Sequence, residues 1–296
     1  PSGVFTITQD TDAPVGFASS TKWDCTTADA SLAAADFLYI QQTIEAQDLQ
    51  HLSYGTSGAL ETTMSFWVKS KKTGTYVVWF YQGDDGRHVQ SQYTVDAVDT
   101  WEKKTCVIPA DTTGVIDNNG VGFEIRFILG AGTNYTSGTA ASTWASYTAA
   151  NAYVGQTVNI SDSTANYINI TGVQLEVGSV ATDFEHRSYG EELALCQRYY
   201  EVASPYYFIA VKYNANNSYG TLMNFKVEKR VAPTATHDVT TFNAHGSGQS
   251  GWSAVTLSFQ NLQKNGCAFS INSGAYSSYF MGITPELSLF RFDAEL

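Results

Sequence analysis

The sequence is poor in charge, and above all in positive charge. Charged residues make up 15% of its 296 residues, and 16 Lys and Arg face 28 Asp and Glu, for a net charge of −12. Ordinary soluble domains carry about 25% charged residues. Binding to phosphates needs clustered Lys and Arg, so we expect no nucleic acid partner. The same charge disfavours an anionic membrane surface.

Long apolar runs are also missing. No run approaches the roughly 18 residues that span a bilayer, so no membrane insertion is expected. The opening residues, PSGVFTITQD, have neither the basic nor the apolar segment of a signal peptide. A chain made in a cytoplasm and released by lysis would look like this, and so would a trimmed chain.

Cysteine is scarce, and the four cysteines are far apart. Cys25, Cys106, Cys196 and Cys267 form no CxxC pair and have no histidine at metal-ligand spacing. We therefore predict buried free thiols, and neither zinc ligands nor disulfides.

Calcium is the cofactor that the sequence leaves open. Asp84, Asp85, Asp96 and Asp99 could supply oxygen ligands, although no EF-hand loop is present. Ordinary polar turns are the favoured interpretation of these aspartates. One structural calcium in the first half of the chain is the alternative, and otherwise no cofactor is expected.

Strand-forming residues fill much of what is present. Alternation of apolar and polar residues predicts strands at 4–8, 37–44, 60–70, 75–82, 89–95, 101–109, 121–129 and 167–177. Asp85-Gly86, Asn119-Gly120 and Asn265-Gly266 predict hairpin turns. We interpret 16–26 as a polar connection, 45–52 as a helical turn and 130–159 as a long loop. So many short strands indicate an all-β antiparallel sandwich.

One helix interrupts this pattern. Ser188 and Glu191 have the spacing of a capping box, which predicts a helix over about 189–201. Three residues share one helical face and are expected to be buried: Leu193, Cys196 and Tyr200. Strands resume beyond this helix, so the helix lies at a domain junction.

The junction also carries a family resemblance. The segment ITGVQLEVGSVATDFEHRSYGEELALCQRYY, with MSFWVKS, WEKKTCVIP, FKVEKRVAPTAT and FRFDAEL elsewhere, resembles bacteriophage tail-fibre and related virion proteins. The resemblance implies a jelly-roll domain similar to carbohydrate-binding modules at 1–186. A connecting helix at 187–200 and a β-rich C-terminal domain at 201–296 would follow. It also implies a homotrimer located in the virion.

Two sequence features could be taken for catalytic sites. Gly248-Gln249-Ser250-Gly251, near His245, is not a GxSxG motif and has no strand-turn-helix context. A glycosidase pair could be sought among four acidic residues: Glu176, Glu185, Glu191 and Glu192. Glu191 already serves the helix cap, and Glu192 is expected to face solvent. We therefore predict that the protein is not an enzyme and has no catalytic residues.

Aromatic residues near polar ones supply the candidate binding site. Sugar rings stack their C–H faces on aromatic rings, and their hydroxyls need planar polar partners. Four candidates flank the Asp85-Gly86 hairpin: Trp79, Tyr81, Arg87 and His88. Three lie in the long loop: Tyr135, Trp144 and Tyr147. The alternative is that Trp79 packs in the core and Trp144 pins its loop. Gln41, Gln42 and Gln174 could likewise be either polar strand residues or sugar contacts.

The sequence therefore predicts a non-enzymatic phage virion protein, a tail fibre or receptor-binding protein, that recognises a bacterial surface glycan. Its partners would be that glycan, through exposed aromatics, and other virion proteins. The glycan is expected to be neutral or cationic, because a net charge of −12 repels polyanions. The alternative is a structural or decorating virion protein of the capsid or fibre that makes protein–protein contacts.

Overall fold

A computed structural model describes residues 2–203, 207–212, 217–220, 223–238, 242–246, 253–272, 279–283 and 289–295. The chain forms two compact units, Pro1–Glu185 and His186–Glu295. Antiparallel strands dominate both, so the predicted all-β class is confirmed. Among the described residues, no helix has the length and apolar character needed to cross a membrane.

The first unit is a jelly-roll sandwich of two antiparallel sheets. Across residues 2–185 the strands are β1 (Val4–Asp10), β2 (Ser20–Thr27), β3 (Phe37–Glu45), β4 (Thr62–Ser70), β5 (Gly74–Gln82), β6 (Arg87–Val95), β7 (Glu102–Ile108), β8 (Val121–Ala131), β9 (Ala145–Ser146) and β10 (Tyr167–Val177). Short helices α1 (Ala46–Leu49) and α2 (Thr133–Thr136) lie between strands. The sheet orders are β1-β2-β10-β4-β7 and β3-β8-β5-β6-β9. Six of the nine connections cross between these two sheets, whereas β1–β2, β5–β6 and β8–β9 each stay within one sheet.

The main core fills the space between the sheets. Strands β4 and β5 each send alternate residues inward because successive side chains of a strand point to opposite faces. The inward residues include Phe66, Val68, Val78 and Phe80, all fully buried. Ring contacts such as Phe80 with Phe123 (6.1 Å between centroids) add to this packing. The residues of β5 that point away from the core therefore lie on the outer face of the second sheet.

Two sequence interpretations of connections were wrong. Residues 20–27 form strand β2, which pairs with both β1 and β10, because Trp23 and Cys25 face inward while polar residues alternate outward. Asn119-Gly120 does not close a hairpin, because β7 and β8 lie in different sheets. The hairpin at Asp85-Gly86 is confirmed: Gln82 lies opposite Arg87, and Gly86 has a φ of 61°.

The predicted long loop is an ordered segment, which we call the strap (residues 132–159). It contains α2, β9 and a 3-10 turn at Ala149–Asn151. Backbone hydrogen bonds tie it to the second sheet at several points, including Tyr147 N to Gly86 O (2.8 Å) and Thr157 N to Thr75 O (3.0 Å). Since a peptide group removed from water needs a partner, these bonds explain how a polar segment can lie against a sheet.

The second unit begins with helix α3 (Tyr189–Tyr199). The predicted capping box is present: Ser188 Oγ accepts from Glu191 N, and Glu191 accepts from Ser188 N at 3.1 Å. The predicted burial of one helix face is wrong. Leu193, Cys196 and Tyr200 are exposed, and the helix contains no buried residue. Leu193 and Cys196 lie on one side of the helix, as their spacing predicts, but within the described residues that side is not covered.

Beyond α3 the described strands are β11 (Tyr200–Ala203), β12 (Tyr207–Lys212), β13 (Asn217–Gly220), β14 (Met223–Asn224), β15 (Thr234–His237), β16 (Phe242–Gly246), β17 (Ser253–Gln263), β18 (Gly266–Asn272), β19 (Tyr279–Ile283) and β20 (Phe290–Asp293). They form one sheet of order β11-β20-β15 and another of order β13-β12-β19-β16-β17-β18-β14, in which β13 also pairs with β18. The hairpin predicted at Asn265-Gly266 joins β17 to β18.

A buried ion pair joins α3 to these strands. Lys229 Nζ lies 2.6 Å from Glu201 Oε2, and both side chains are buried. Lys229 Nζ also donates to the carbonyl of Gln197 in the last turn of α3. Phenylalanines pack beside it, among them Phe225 and Phe292. The two charges therefore neutralise each other in an apolar environment. Lys229 also donates a hydrogen bond to a carbonyl in the last turn of α3, where carbonyl groups lack partners within the helix.

The cysteine prediction is correct at three of four positions. Cys25, Cys106 and Cys267 are buried free thiols, whereas Cys196 is an exposed free thiol on α3. Burial raises the pKa of the Cys267 thiol to about 11. The Gly248–Gly251 motif lies outside the described residues, as does the side chain of His245.

Candidate functional site

The outer face of the second sheet brings together chemistry-bearing residues from four strands. Residues directly opposite each other in antiparallel strands lie on the same face. The register gives two adjacent cross-strand rows, of which the first is Gln41, Arg126, Trp79 and Gln90, and the second is Thr43, Glu124, Tyr81 and His88. We call the accessible part of this surface the Arg126 face, defined by Tyr39, Gln41, Tyr81, Glu124, Arg126 and Tyr147.

Arg126 is at the centre of this face. Its Nε donates to Gln41 Oε1 (2.8 Å), its Nη2 to Glu124 Oε2 (2.7 Å) and its Nη1 to Tyr153 Oη (3.1 Å). A guanidinium has five N–H groups, so these bonds fix its plane and leave donors for a ligand. Glu124 is the charge partner, and the side chains of Arg126 and Glu124 are 19% and 24% exposed. The pair is thus accessible but electrically balanced.

Aromatic rings hold the guanidinium from both neighbouring strands. Its carbon lies 4.4 Å from the ring centroid of Tyr39 and 4.8 Å from that of Trp79. Burial opposes the charge, but the hydrogen bond to Tyr153 and the nearby Glu124 outweigh it, so the pKa of Arg126 is raised above its ordinary value. Burial also raises the pKa of Tyr153 to about 12, which keeps its hydroxyl protonated.

Three rings form a corner beside Arg126. Trp79 and Tyr81 stack almost parallel, with centroids 5.3 Å apart and 9° between planes. Tyr147, from the strap, stands edge-on to both, at 6.0 Å and 5.8 Å. Trp79 is buried (2% exposed), Tyr81 is half-buried, and Tyr147 is 42% exposed. The predicted candidates Tyr81 and Tyr147 therefore offer accessible ring surface, whereas Trp79 supports them from beneath.

His88 was predicted as an exposed ligand contact, and this is corrected because the side chain is fully buried. Its Nδ1 accepts a hydrogen bond from Trp79 Nε1 (2.9 Å), and its ring lies 5.4 Å from that of Tyr147. Burial lowers the pKa of His88, so the neutral imidazole is favoured. His88 contacts the residues that form the face without being exposed on it.

Trp144 is likewise not the exposed ring that was predicted. It is 7% exposed, stacks on Phe123 (5.6 Å, 18°) and donates from Nε1 to Pro109 O (2.7 Å). Its edge meets Tyr54, whose pKa burial raises to about 12. Trp144 is part of the main core, so it pins the strap, as the alternative interpretation stated.

The remaining two predicted residues contact different parts of the strap or belong to it: Arg87 of β6 bonds its middle, and Tyr135 lies near its start. Arg87 donates from Nε to Asp111 Oδ2 (2.6 Å) and from Nη2 to Trp144 O (3.0 Å), so its guanidinium is occupied. Tyr135 is half-buried and packs against Phe37 (4.9 Å). Neither belongs to the corner around Tyr147, although Tyr135 reaches Arg126 indirectly by stacking on Tyr153.

Four important residues were absent from the sequence-based candidates: Tyr39, Glu124, Arg126 and Tyr153. Tyr39 and Arg126 lie on strands 80 or more positions apart in sequence, as in the register pair Gln41 and Arg126. Alternation did place Glu124 and Arg126 on one face of their strand. Only the pairing of β3 with β8 shows that this face meets Tyr39.

The four aspartates considered as calcium ligands have other partners. Asp96 pairs with Lys104 (3.1 Å) and Asp99 with Lys71 (2.7 Å). Asp85 Oδ2 accepts from Val115 N (2.5 Å), and Asp84 accepts from Asn118. Over the residues that the structure describes, no group of three or more His, Cys, Asp and Glu is arranged to hold a metal. A structural calcium stays the untested alternative to ordinary polar turns.

No protein-family model matches the chain, and no curated protein matches it either. Among solved structures, it is similar to the enzymatically active domain of bacteriophage CBA120 tailspike protein 4 (15% identity, TM-score 0.32, 60% of this chain and 18% of that one). It is also similar to a CBM4 structure (15%, 0.31, 59% and 78%). A candidate sugar binding protein from Bacteroides thetaiotaomicron is the third (12%, 0.34, 60% and 84%). The fold assignment rests on the chain's own strand order.

Proposed function

We propose that the chain is a non-enzymatic bacteriophage virion protein that binds a neutral bacterial surface glycan on the Arg126 face. The observation that supports this most is the side-by-side placement of accessible rings and a charge-balanced hydrogen-bonding pair. Tyr147 and Tyr81 present ring surface beside Arg126 and Glu124. This is the combination that a sugar requires, because it has apolar ring faces edged by hydroxyls.

Charge favours a neutral ligand on this face. Arg126 is already paired with Glu124, so an anionic sugar would have to compete with that carboxylate. The net charge of −12 would also slow the approach of a polyanion. Hydroxyls of a neutral sugar can instead donate to Glu124 and accept from the remaining N–H groups of Arg126.

Binding without cleavage fits the same residues. Glycoside hydrolysis uses two carboxyl groups on either side of the scissile bond, roughly 5 to 10 Å apart. The Arg126 face contributes one carboxylate, Glu124, and that carboxylate is held by Arg126. We therefore propose that incubation with polysaccharide releases no reducing ends.

The virion assignment is supported by the sequence resemblance of residues 170–200 to tail-fibre and related proteins. A tail fibre or other exterior part of the virion would present the Arg126 face to the host cell. In a homotrimer three weak sites would act together, and linked sites gain about 10²–10⁴ in avidity.

A printed array of neutral and acidic bacterial O-polysaccharides tests this function. We expect the wild type to bind neutral members, and Tyr147→Ala to bind them about tenfold more weakly, because loss of a stacked ring costs about 1.4 kcal/mol. The matched control is Trp67→Ala, which removes a half-buried aromatic from the opposite sheet. Equal binding by the Tyr147 variant, or loss in the control alone, would refute the assigned face.

A structural or decorating role in the virion is the second candidate, and helix α3 favours it. Tyr189 and Leu193, four positions apart on one side of this short helix, are both exposed. Exposed apolar side chains that lie together mark protein–protein contacts. A chain that binds no array glycan but forms a stable oligomer through α3 in light scattering would support this role. A stable 32 kDa monomer at micromolar concentration would contradict the homotrimer.

A further inference from the structure

We propose that neutral His88 is a positioning residue for the Arg126 face, and that glycan binding weakens when His88 takes up a proton. The inference rests on the proposed function for its second half. Its first half concerns only the protein, since His88 holds Trp79 and contacts Tyr147. The two halves can therefore be tested separately.

The hydrogen bond fixes the protonation state that the site needs. An indole N–H can only donate, so His88 Nδ1 must be an unprotonated acceptor for Trp79 Nε1 at 2.9 Å. The neutral ring then carries its proton on Nε2. Protonation places a second N–H on Nδ1, directly against the indole N–H. Two donors cannot share this contact, so the bond between His88 and Trp79 must open.

The consequence reaches the face through ring packing. Trp79 stacks under Tyr81 at 5.3 Å and lies 4.8 Å below the guanidinium carbon of Arg126. Tyr147 meets both Trp79 and His88 edge-on. A displaced indole therefore disturbs three of the groups that define the face.

Among the described residues packed against His88, none supplies an unpaired counter-charge for an imidazolium. The side chains that lie toward His88 are aromatic: Trp79 and Tyr81 of β5 and Tyr147 after β9. One strand further, on β8, Glu124 is paired with Arg126. On its own strand the neighbouring Arg87 is paired with Asp111.

The second ring nitrogen of His88, Nε2, also lacks a group that could stabilise a positive charge. Within the described residues, the buried Nε2 atom of His88 has no hydrogen-bond partner. A buried charge without a partner is strongly disfavoured. Protonation of His88 thus disfavours the hydrogen bond between His88 and Trp79, and that hydrogen bond disfavours protonation.

Two substitutions distinguish the role of His88 as a hydrogen-bond acceptor from the effect of its protonation. In His88→Asn the amide oxygen can occupy the place of Nδ1, because both atoms are the same number of bonds from Cα, and the amide does not titrate. In His88→Leu the acceptor is removed. A Trp79→Phe variant identifies the Trp79 indole signal in ¹H–¹⁵N spectra.

The protein alone is measured first by NMR from about pH 7.5 to about pH 5. We expect the wild-type Trp79 indole signal to move with the titration of the His88 ring, and the His88→Asn signal to stay constant. In His88→Leu the signal should lie at the position of an unbonded indole at every pH. A wild-type Trp79 signal that stays unchanged down to the pH of unfolding overturns the proposal.

Binding is then measured on the neutral O-polysaccharides of the array. We expect wild-type binding to fall about fivefold across the same range while His88→Asn changes less than about twofold. His88→Leu should bind about fivefold more weakly at neutral pH. Parallel pH profiles for wild type and His88→Asn overturn the proposal. If no polysaccharide binds any variant at any pH, the proposed function fails, and the NMR result still decides the positioning role.

Discussion

The two faces of strand β5 differ: one packs in the core of the first unit, and the other carries residues of the proposed binding site. Val78 and Phe80 point into the main core and are fully buried among apolar residues. Trp79 and Tyr81 point outward and carry polar partners, ring stacking and a guanidinium neighbour. One strand thus carries both sets of side chains, because its period of two places them on opposite faces. Damage to the inner face should cost stability, and damage to the outer face should cost binding.

The largest effect that would sharpen this comparison is expected on the inner face. Phe80→Ala empties a site in the main core and should lower the free energy of unfolding by about 3–5 kcal/mol. Urea denaturation measures this loss. Tyr81→Ala, the next residue on the same strand, is the matched control and should lose less than half as much stability while weakening glycan binding. Equal losses of stability would erase the distinction between the faces.

The next largest effect is expected for Trp144 of the strap. Its substitution tests whether this residue belongs to the main core or to the outer face of the second sheet. Trp144→Ala should cost about 3 kcal/mol, because the indole is packed on Phe123 inside the main core. Trp144→Phe retains a ring but loses the bond to Pro109 O, and should cost about 1 kcal/mol. Thermal and urea unfolding distinguish the two. If Trp144→Ala kept normal stability but lost glycan binding, Trp144 would belong to the Arg126 face and not to the main core.

A smaller effect should appear at the charged pair of the outer face. Arg126→Met leaves Glu124 without its partner, and we expect glycan binding to weaken about tenfold with little dependence on salt. The double variant Arg126→Met with Glu124→Gln restores the charge balance but not the donors. Its binding, measured on the same array, should recover only in part. Full recovery would mean that Arg126 acts through charge alone.

The smallest effect concerns pH and the free energy of unfolding. The pKa of His88 is lowered by burial from an unfolded value of 6.5, so the unfolded chain binds more protons between those two values. This contribution to stability is constant above about pH 6.5 and is lost as the pH falls toward the folded-state pKa. Wild type should therefore lose stability relative to His88→Asn on acidification. A difference that stays constant with pH would contradict the shift.

Periodic strands and the helix cap could be predicted because their signals are local. The alternation in β4, β5 and β8 and the Ser188–Glu191 capping box correspond to the observed elements. Strand β2 was missed because STKWDCTT is mostly polar, and only Trp23 and Cys25 mark its inner face. The false hairpin at Asn119-Gly120 shows the limit of turn residues, since they do not say which sheet the next strand joins.

The candidate site could be predicted only in part, for a related reason. Tyr81 and Tyr147 were identified from composition, and the corner that they form depends on the strap hydrogen bond from Tyr147 N to Gly86 O. Trp144 resembles Tyr147 in sequence context, yet its ring turns into the core. Arg126 was not recognised because its partners Tyr39 and Gln41 come from a strand far away in the chain. Long-range register cannot be obtained from local periodicity.

The construction of the strap has an evolutionary consequence. Its two ends are fixed to the sheet by backbone bonds, such as Thr157 N to Thr75 O, and its middle is anchored by Trp144. Tyr147, which forms the corner with Trp79 and Tyr81, lies three positions beyond that anchor. Substitutions in the strap between Trp144 and the two ends can therefore change the shape of the corner around Tyr147 at little cost to folding, because surface segments tolerate change far better than packed strands. We expect natural variation to concentrate at residues 137–143 and 147–148, and to spare Trp144 and the strands of the two sheets.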